Sequence, residues 1–195
     1  MPRTAQIQRI TTETKISVDL EIDGSGSASI ETGIPFFDHM LTLFARHSLC
    51  DLTIRAEGDL AVDFHHTVED TGIALGQAFA KGLGDKRGIR RYGWAYLPMD
   101  ETLARVVVDF SGRPYVEFQA PRDVPPSGPF PFQLVEEFLR GFAVHAGLNL
   151  HAAVLYGRDT HHMAEALFKG LAKAVDQACQ LDARVQGVPS TKGVL

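Results

Sequence analysis

The chain has 195 residues, 45% hydrophobic and 22% charged, which is an ordinary globular composition and excludes a low-complexity or fibrous protein. A formal net charge of −5 removes any general attraction to nucleic acid or anionic membranes, so phosphate binding must come from local basic residues. No apolar run reaches the length of a membrane span, and Met1-Pro2-Arg3-Thr4 has no signal-peptide character. The cytoplasm is the expected compartment, with Cys50 and Cys179 as reduced, buried thiols.

From Ile7 to Ile22 the pattern is that of a strand, with Ile16, Val18, Leu20 and Ile22 alternating with polar residues. Asp23-Gly24-Ser25-Gly26 turns it into a second strand, Ser27 to Glu31. Gly33-Ile34-Pro35 breaks the alternation. Phe36 to Ser48 then reads as helix, with Phe37, Met40, Leu41 and Phe44 on one stripe. A strand follows at Leu52 to Ala56, a turn at Glu57-Gly58-Asp59, and a second helix that opens at Asp63 and runs to about Gly82.

The chain then repeats itself. Glu13-Thr14 matches Glu101-Thr102, Phe44-Ala45-x-His47 matches Phe142-Ala143-x-His145, and His39 falls opposite Glu137. The offset between copies is 88, 98 and 96 residues for the strand, first-helix and motif blocks, as loop insertions would produce. A proline-rich insertion, Pro121 to Pro131, belongs to the second half. The expected fold is α+β, with β-β-α-β-α written twice. Each half is a small, mostly antiparallel sheet with two helices on one face. Residues 1–90 and 91–195 are the two pseudo-repeats of one globular unit.

The strongest repeat is chemical. Asp63-Phe64-His65-His66-Thr67-Val68-Glu69 recurs as Asp159-Thr160-His161-His162-Met163-Ala164-Glu165, both D-x-H-H-x-x-E. Residues four apart share a helix face, so His65 can join Glu69 and His161 can join Glu165 on one ion. The neighbouring His66 and His162 are turned away by about 100°. Two metals, each drawing ligands from more than one helix, suit this pattern better than one. Imidazole with carboxylate suits manganese, zinc or iron. Asp63 and Asp159 read as N-caps. The candidate ligands are His39, His65, His66 and Glu69 from the first half, with Glu137, His161, His162 and Glu165 from the second. His47 and His145, near helix ends beside apolar residues, read as structural; His151, in a strand over Leu148 to Tyr156, is open between a structural role and support of the site.

Arg87, Arg90, Arg91 and Arg113 are candidate phosphate ligands, as is the tail Pro189-Ser190-Thr191-Lys192-Gly193, whose hydroxyls, ammonium and N–H groups suit a phosphate cradle. Lys169, four residues after Glu165, lies on the motif face.

Together these stretches resemble the imidazoleglycerol-phosphate dehydratase family of histidine biosynthesis. The resemblance rests on Phe36 to Leu41, Asp63 to Gly72, Arg91-Tyr92-Gly93, Pro98 to Glu101, Asp109 to Pro114, His161 to Lys169 and Pro189 to Leu195, nearly the whole chain. It implies a hydro-lyase that dehydrates D-erythro-imidazole-glycerol phosphate to imidazole-acetol phosphate, with two Mn2+ per active site. It also implies a homo-oligomer of about 24 subunits with active sites at subunit interfaces. The family's metal ligands fall on His39, His65, His66, Glu69, His161, His162 and Glu165, and the eighth position, a histidine in some members, is Glu137. Substrate contacts carry to Glu13, Arg91, Arg113, Lys169, Ser190, Thr191 and Lys192. Leu43 stands where plant-type members place a glutamine.

The carbon that loses hydrogen in this reaction bears no carbonyl. The expected route is therefore a substrate imidazolate stabilised by the metals, loss of the neighbouring hydroxyl through a diazafulvene-like intermediate, and tautomerisation of an enol. Glu165 and Glu13 are the expected proton carriers. Two other classes compete. A metal-storage or metal-sensing protein would need no phosphate clamp, and ferritin-like carriers use four long helices instead of alternating strands. A di-metal phosphohydrolase would release inorganic phosphate and usually carries more aspartate ligands.

Overall fold

The computed structural model describes residues 2–121 and 128–195. The first half contains β1 (Thr4–Ile10), β2 (Thr14–Glu21), β3 (Ala28–Glu31), α1 (Pro35–Ser48), β4 (Asp51–Gly58) and α2 (His65–Leu83). The second contains β5 (Tyr92–Met99), β6 (Thr102–Asp109), β7 (Tyr115–Gln119), α3 (Gln133–Ala146), β8 (Asn149–Tyr156) and α4 (Thr160–Cys179). The sheets run β1-β2-β4-β3 and β5-β6-β8-β7. In each, two antiparallel pairings are followed by one parallel pairing. The duplicated α+β architecture is as expected.

One detail differs: the run from Ile7 to Ile22 is a hairpin, so each half has three strands before its first helix. The chain reverses at Thr11–Glu13, where the Thr11 hydroxyl accepts from the N–H groups of Glu13 (3.1 Å) and Thr14 (3.0 Å). A threonine-built turn has neither glycine nor proline to mark it. Most of the proline-rich stretch lies outside the described residues.

Helices α1 and α2 lie on the first sheet and α3 and α4 on the second, with α1 packed on α4 and α2 on α3. The helices are therefore enclosed between the sheets. Phe37, Phe44, Phe79, Phe138, Phe142 and Phe168 are fully buried among them. Rings meet edge-on, as in Phe79–Phe142 at 5.5 Å, or stacked, as in Phe138–Phe168 at 4.8 Å. Along the α2–α3 seam the backbones themselves touch. A Cβ at Gly72 would lie 2.6 Å from the Phe138 carbonyl oxygen, and one at Gly141 2.8 Å from that of Glu69. By the repeat, the mates of Gly72 and Gly141 are Phe168 and Leu43, so the α1–α4 seam is filled with side chains instead.

Helix starts follow the sequence. Pro35 occupies the first turn of α1, while Asp38 accepts from the backbone N–H (2.8 Å) and hydroxyl (2.6 Å) of Thr32. Asp159 is the N-cap of α4 and accepts from the His161 N–H at 2.8 Å, whereas in α2 the cap position is Phe64, and Asp63, one residue earlier than expected of a cap, accepts from the His65 N–H at 2.7 Å. These aspartates fix where each motif helix begins, and hence which way its histidines point. Cys50 and Cys179 are free and buried, and burial pushes the Cys50 thiol up to about 12.

Candidate functional site

The packing of α1 on α4 brings three predicted ligands together. His39 Nε2 is 3.1 Å and His161 Nε2 is 3.0 Å from Glu165 Oε1, and one donor atom from each residue lies within 4.8 Å of the other two. Glu165 is 8% exposed at its side chain, and its second oxygen accepts from Lys169 Nζ. Burial alone would raise its pKa, but the hydrogen bonds from Lys169, His39 and His161 outweigh this and bring it down to about 2. Two imidazole nitrogens and one carboxylate oxygen on one side suit a divalent transition metal and leave coordination positions open.

The matching cluster in the first half is looser. His65 Nε2 stands 3.7 Å from Glu69 Oε2, and both side chains are more than 40% exposed. Glu137 is half-buried on α3, one turn before the point where Gly141 meets Glu69, and is outside any such three-residue cluster among the described residues.

The second histidine of each pair faces a carboxylate. Asp59 lies 3.0 Å from His66 Nδ1, and Glu101 Oε2 lies 2.7 Å from His162 Nδ1. Each contact raises its histidine's pKa. Glu101 is held well below the usual carboxylate range, first by the Arg158 N–H, then by His162 and the Asp159 N–H. Neither Asp59 nor Glu101 was among the sequence candidates for the site. Asp59 read as a turn residue and Glu101 only as the mate of Glu13. Glu13 itself is half-exposed, 3.8 Å from His66 Nδ1.

The predicted phosphate ligands collect elsewhere. Arg91 grips Asp109 with both arms (2.6 and 3.0 Å) and donates to the Pro189 carbonyl at 2.9 Å, so it anchors the tail. Ser190, Thr191 and Lys192 follow in a turn, in which Ser190 Oγ accepts from the Lys192 N–H at 3.2 Å. The tail then reaches Gly112, beside the exposed Arg113. This group adjoins the C-terminal end of α4, where the Arg91 N–H donates to Ala178 O at 2.9 Å. Glu165 is at the other end of that helix, roughly 20 Å away at about 1.5 Å per residue. Lys169 alone stays with the histidines.

His145 Nδ1 lies 2.9 Å from the Gly141 carbonyl, a structural contact within its helix. His151 is exposed on the outer sheet face, beside Tyr115. A cavity of about 710 Å³ between β7 and α3, lined in part by Phe118, Phe130, Phe132 and Glu136, includes none of the paired histidines.

Two duplicated sheet-and-helix halves carrying one His-His-x-x-Glu motif each define the class. The family model for imidazoleglycerol-phosphate dehydratase matches residues 32–175. Curated imidazoleglycerol-phosphate dehydratases from Citrifermentans bemidjiense (57% identical, covering all of both chains) and Akkermansia muciniphila (58%, covering 99% of this chain and all of that one) are similar throughout. The crystal structure of the Staphylococcus aureus enzyme matches with a TM-score of 0.81 at 44% identity, covering 92% of this chain and 99% of that one. The Pyrococcus furiosus enzyme, in complex with (S)-C348, matches at 0.83 and 36%, covering 97% and 100%. The chain belongs to the imidazoleglycerol-phosphate dehydratase family, and so is a hydro-lyase of histidine biosynthesis.

Proposed function

We propose that the chain dehydrates D-erythro-imidazole-glycerol phosphate to imidazole-acetol phosphate at a site that holds two Mn2+ ions. The observation that carries this reading is the convergence of His39, His161 and Glu165 on one point. His65, His66, Glu69, Glu137 and His162 complete the donor set. Bound there, two divalent cations supply Lewis-acid stabilisation of the substrate's imidazolate form and a template for the ring.

The chain's own residues supply the rest. Glu165, held ionised by Lys169, and the half-exposed Glu13 are the proposed carriers of protons to and from the glycerol carbons. Arg113, Ser190, Thr191 and Lys192 hold the phosphate away from the ring, and Arg91 contributes by fixing the tail. Lys169 neutralises the buried carboxylate and is within reach of an anionic substrate.

The separation along α4 supports a shared site. A three-carbon chain cannot link a ring held by His161 and Glu165 to a phosphate held beside Ala178 of the same subunit. We therefore infer a homo-oligomer in which the histidines of one subunit face the phosphate clamp of another; its size, about 24 subunits, is what the family resemblance implies. Residues 1–90 and 91–195 act as one unit within each subunit, and the cytoplasm is the proposed compartment.

The test is purified protein with imidazole-glycerol phosphate, followed by ultraviolet absorbance of the enol product, with metal content and mass in solution measured before and after chelation. Activity lost on chelation and restored by Mn2+ is expected. Turnover by metal-free protein, or release of inorganic phosphate instead of dehydration, overturns the reading.

A further inference from the structure

We infer that Glu101 and Asp59 are positioning residues: each fixes the proton of its histidine on Nδ1, so that His162 and His66 present a bare Nε2 to their ligand. A carboxylate only accepts hydrogen bonds, so a nitrogen 2.7 Å from Glu101 or 3.0 Å from Asp59 must be the one that carries hydrogen. In a neutral ring the other nitrogen then has the free lone pair. The ligand-presenting half of this inference rests on the metal reading above; the proton assignment does not.

The two halves reach this arrangement from different places. In the first, the carboxylate comes from Asp59, just after β4. The matching position after β8 is Gly157, where a Cβ would lie 2.5 Å from Thr102 Oγ1 and 3.1 Å from Met163 Cε. No side chain fits there. The second half takes its carboxylate from Glu101, in the β5–β6 turn, whose mate is Glu13. Glu13 stands too far from His66 Nδ1, at 3.8 Å, to hold it. Asp59 has relieved Glu13 of that duty, which leaves Glu13 available to face substrate.

The surroundings of Glu101 permit a sharp test. Its Oε1 accepts from three donors, the N–H groups of Arg158 and Asp159 and the Thr102 hydroxyl, each at 3.0 Å. In Glu101→Gln the two backbone N–H groups demand the amide oxygen at that place, so the NH2 must face His162. It donates to Nδ1, and the imidazole proton moves to Nε2 while every hydrogen bond is kept. Among the described residues the Asp59 side chain bonds His66 alone, with both oxygens (3.0 and 3.2 Å), so in Asp59→Asn the amide can turn its oxygen to the ring.

The full-length chain, freed of metal and labelled with 15N-histidine, is measured by solid-state NMR at about pH 9, above the range in which a histidine gains its second proton. The His162 signal is assigned by its loss in His162→Gln. The parent should show His162 as Nδ1–H and Glu101→Gln should show it as Nε2–H, with unchanged circular dichroism. Titration with Mn2+ should then show one class of site weakened by about 10–100-fold in Glu101→Gln, and a smaller loss in Asp59→Asn. A parent His162 already protonated on Nε2, a tautomer unmoved in Glu101→Gln, or unchanged Mn2+ affinity after the tautomer has moved would each overturn the inference. A parent that binds no Mn2+ but shows the expected tautomers would overturn the metal reading and the ligand-presenting role together. An unmoved tautomer in a protein that still binds Mn2+ would sink this inference alone.

Discussion

The two halves share an order of elements and differ in how firmly each holds its acids. In the second half Glu165 is sealed among His39, His161 and Lys169. In the first half Glu69 is open, and its neighbour at the Lys169 position is Ile73. The first half spends its buried charge elsewhere: Asp70 accepts from Arg9 and from Thr14 between α2 and the first sheet. By the repeat, Arg9 and Asp70 match Leu97 and Ala166, so the second half packs hydrocarbon at that place. One duplicated scaffold therefore carries a preformed acid cluster at one site and a structural ion pair at the other.

The contrast breaks most visibly at Glu165. Glu165→Gln with two ions bound should lower turnover by about 10²–10⁴-fold; turnover near the parent level would remove it from proton transfer. The seams between helices come next. Phe168→Ala should cost about 3–5 kcal/mol by opening a cavity. Gly72→Ala should cost about 1–3 kcal/mol by overpacking, because the obstructing atom is backbone. Denaturant or thermal unfolding reads both, and a neutral Gly72→Ala would mean that the α2–α3 seam can open.

The ion pair should then show the asymmetry of a paired group. Arg9→Leu alone leaves Asp70 largely buried with only Thr14, at about 1–3 kcal/mol. The double change Arg9→Leu with Asp70→Ala, which copies the second half, should return to within about 1 kcal/mol of the parent. The smallest effect is on acid stability. Glu165 is held at about 2, below its ordinary value of 4.5, so it stabilises the metal-free fold fully above that ordinary value. This contribution fades as pH falls through that interval, and Glu165→Gln should flatten the dependence in acid titrations followed by circular dichroism.

What the sequence made legible was periodic or repeated. The apolar stripe of α1, the two motif helices and the duplication all follow from spacing, and the same spacing put His161 and Glu165 on one face. The approach of His39 depends on how α1 packs against α4; the repeat pointed to it only by setting His39 against Glu137. The β1–β2 reversal stayed hidden because Thr11 makes it with a hydroxyl in place of a glycine. Asp59 and Glu101 stayed hidden for a different reason: a turn acid and a hairpin acid look like solvated charge until the fold brings each to a histidine ring.

The bare-backbone seam at Gly72 and Gly141 has one more consequence. A tandem of two identical halves would carry the same residue at both helix contacts, making both narrow or both wide. Glycine at one and Phe168 with Leu43 at the other skews the bundle away from perfect twofold symmetry. A chimera that repeats either half verbatim should therefore misfit at its centre, since each copy has diverged to fit the other rather than itself.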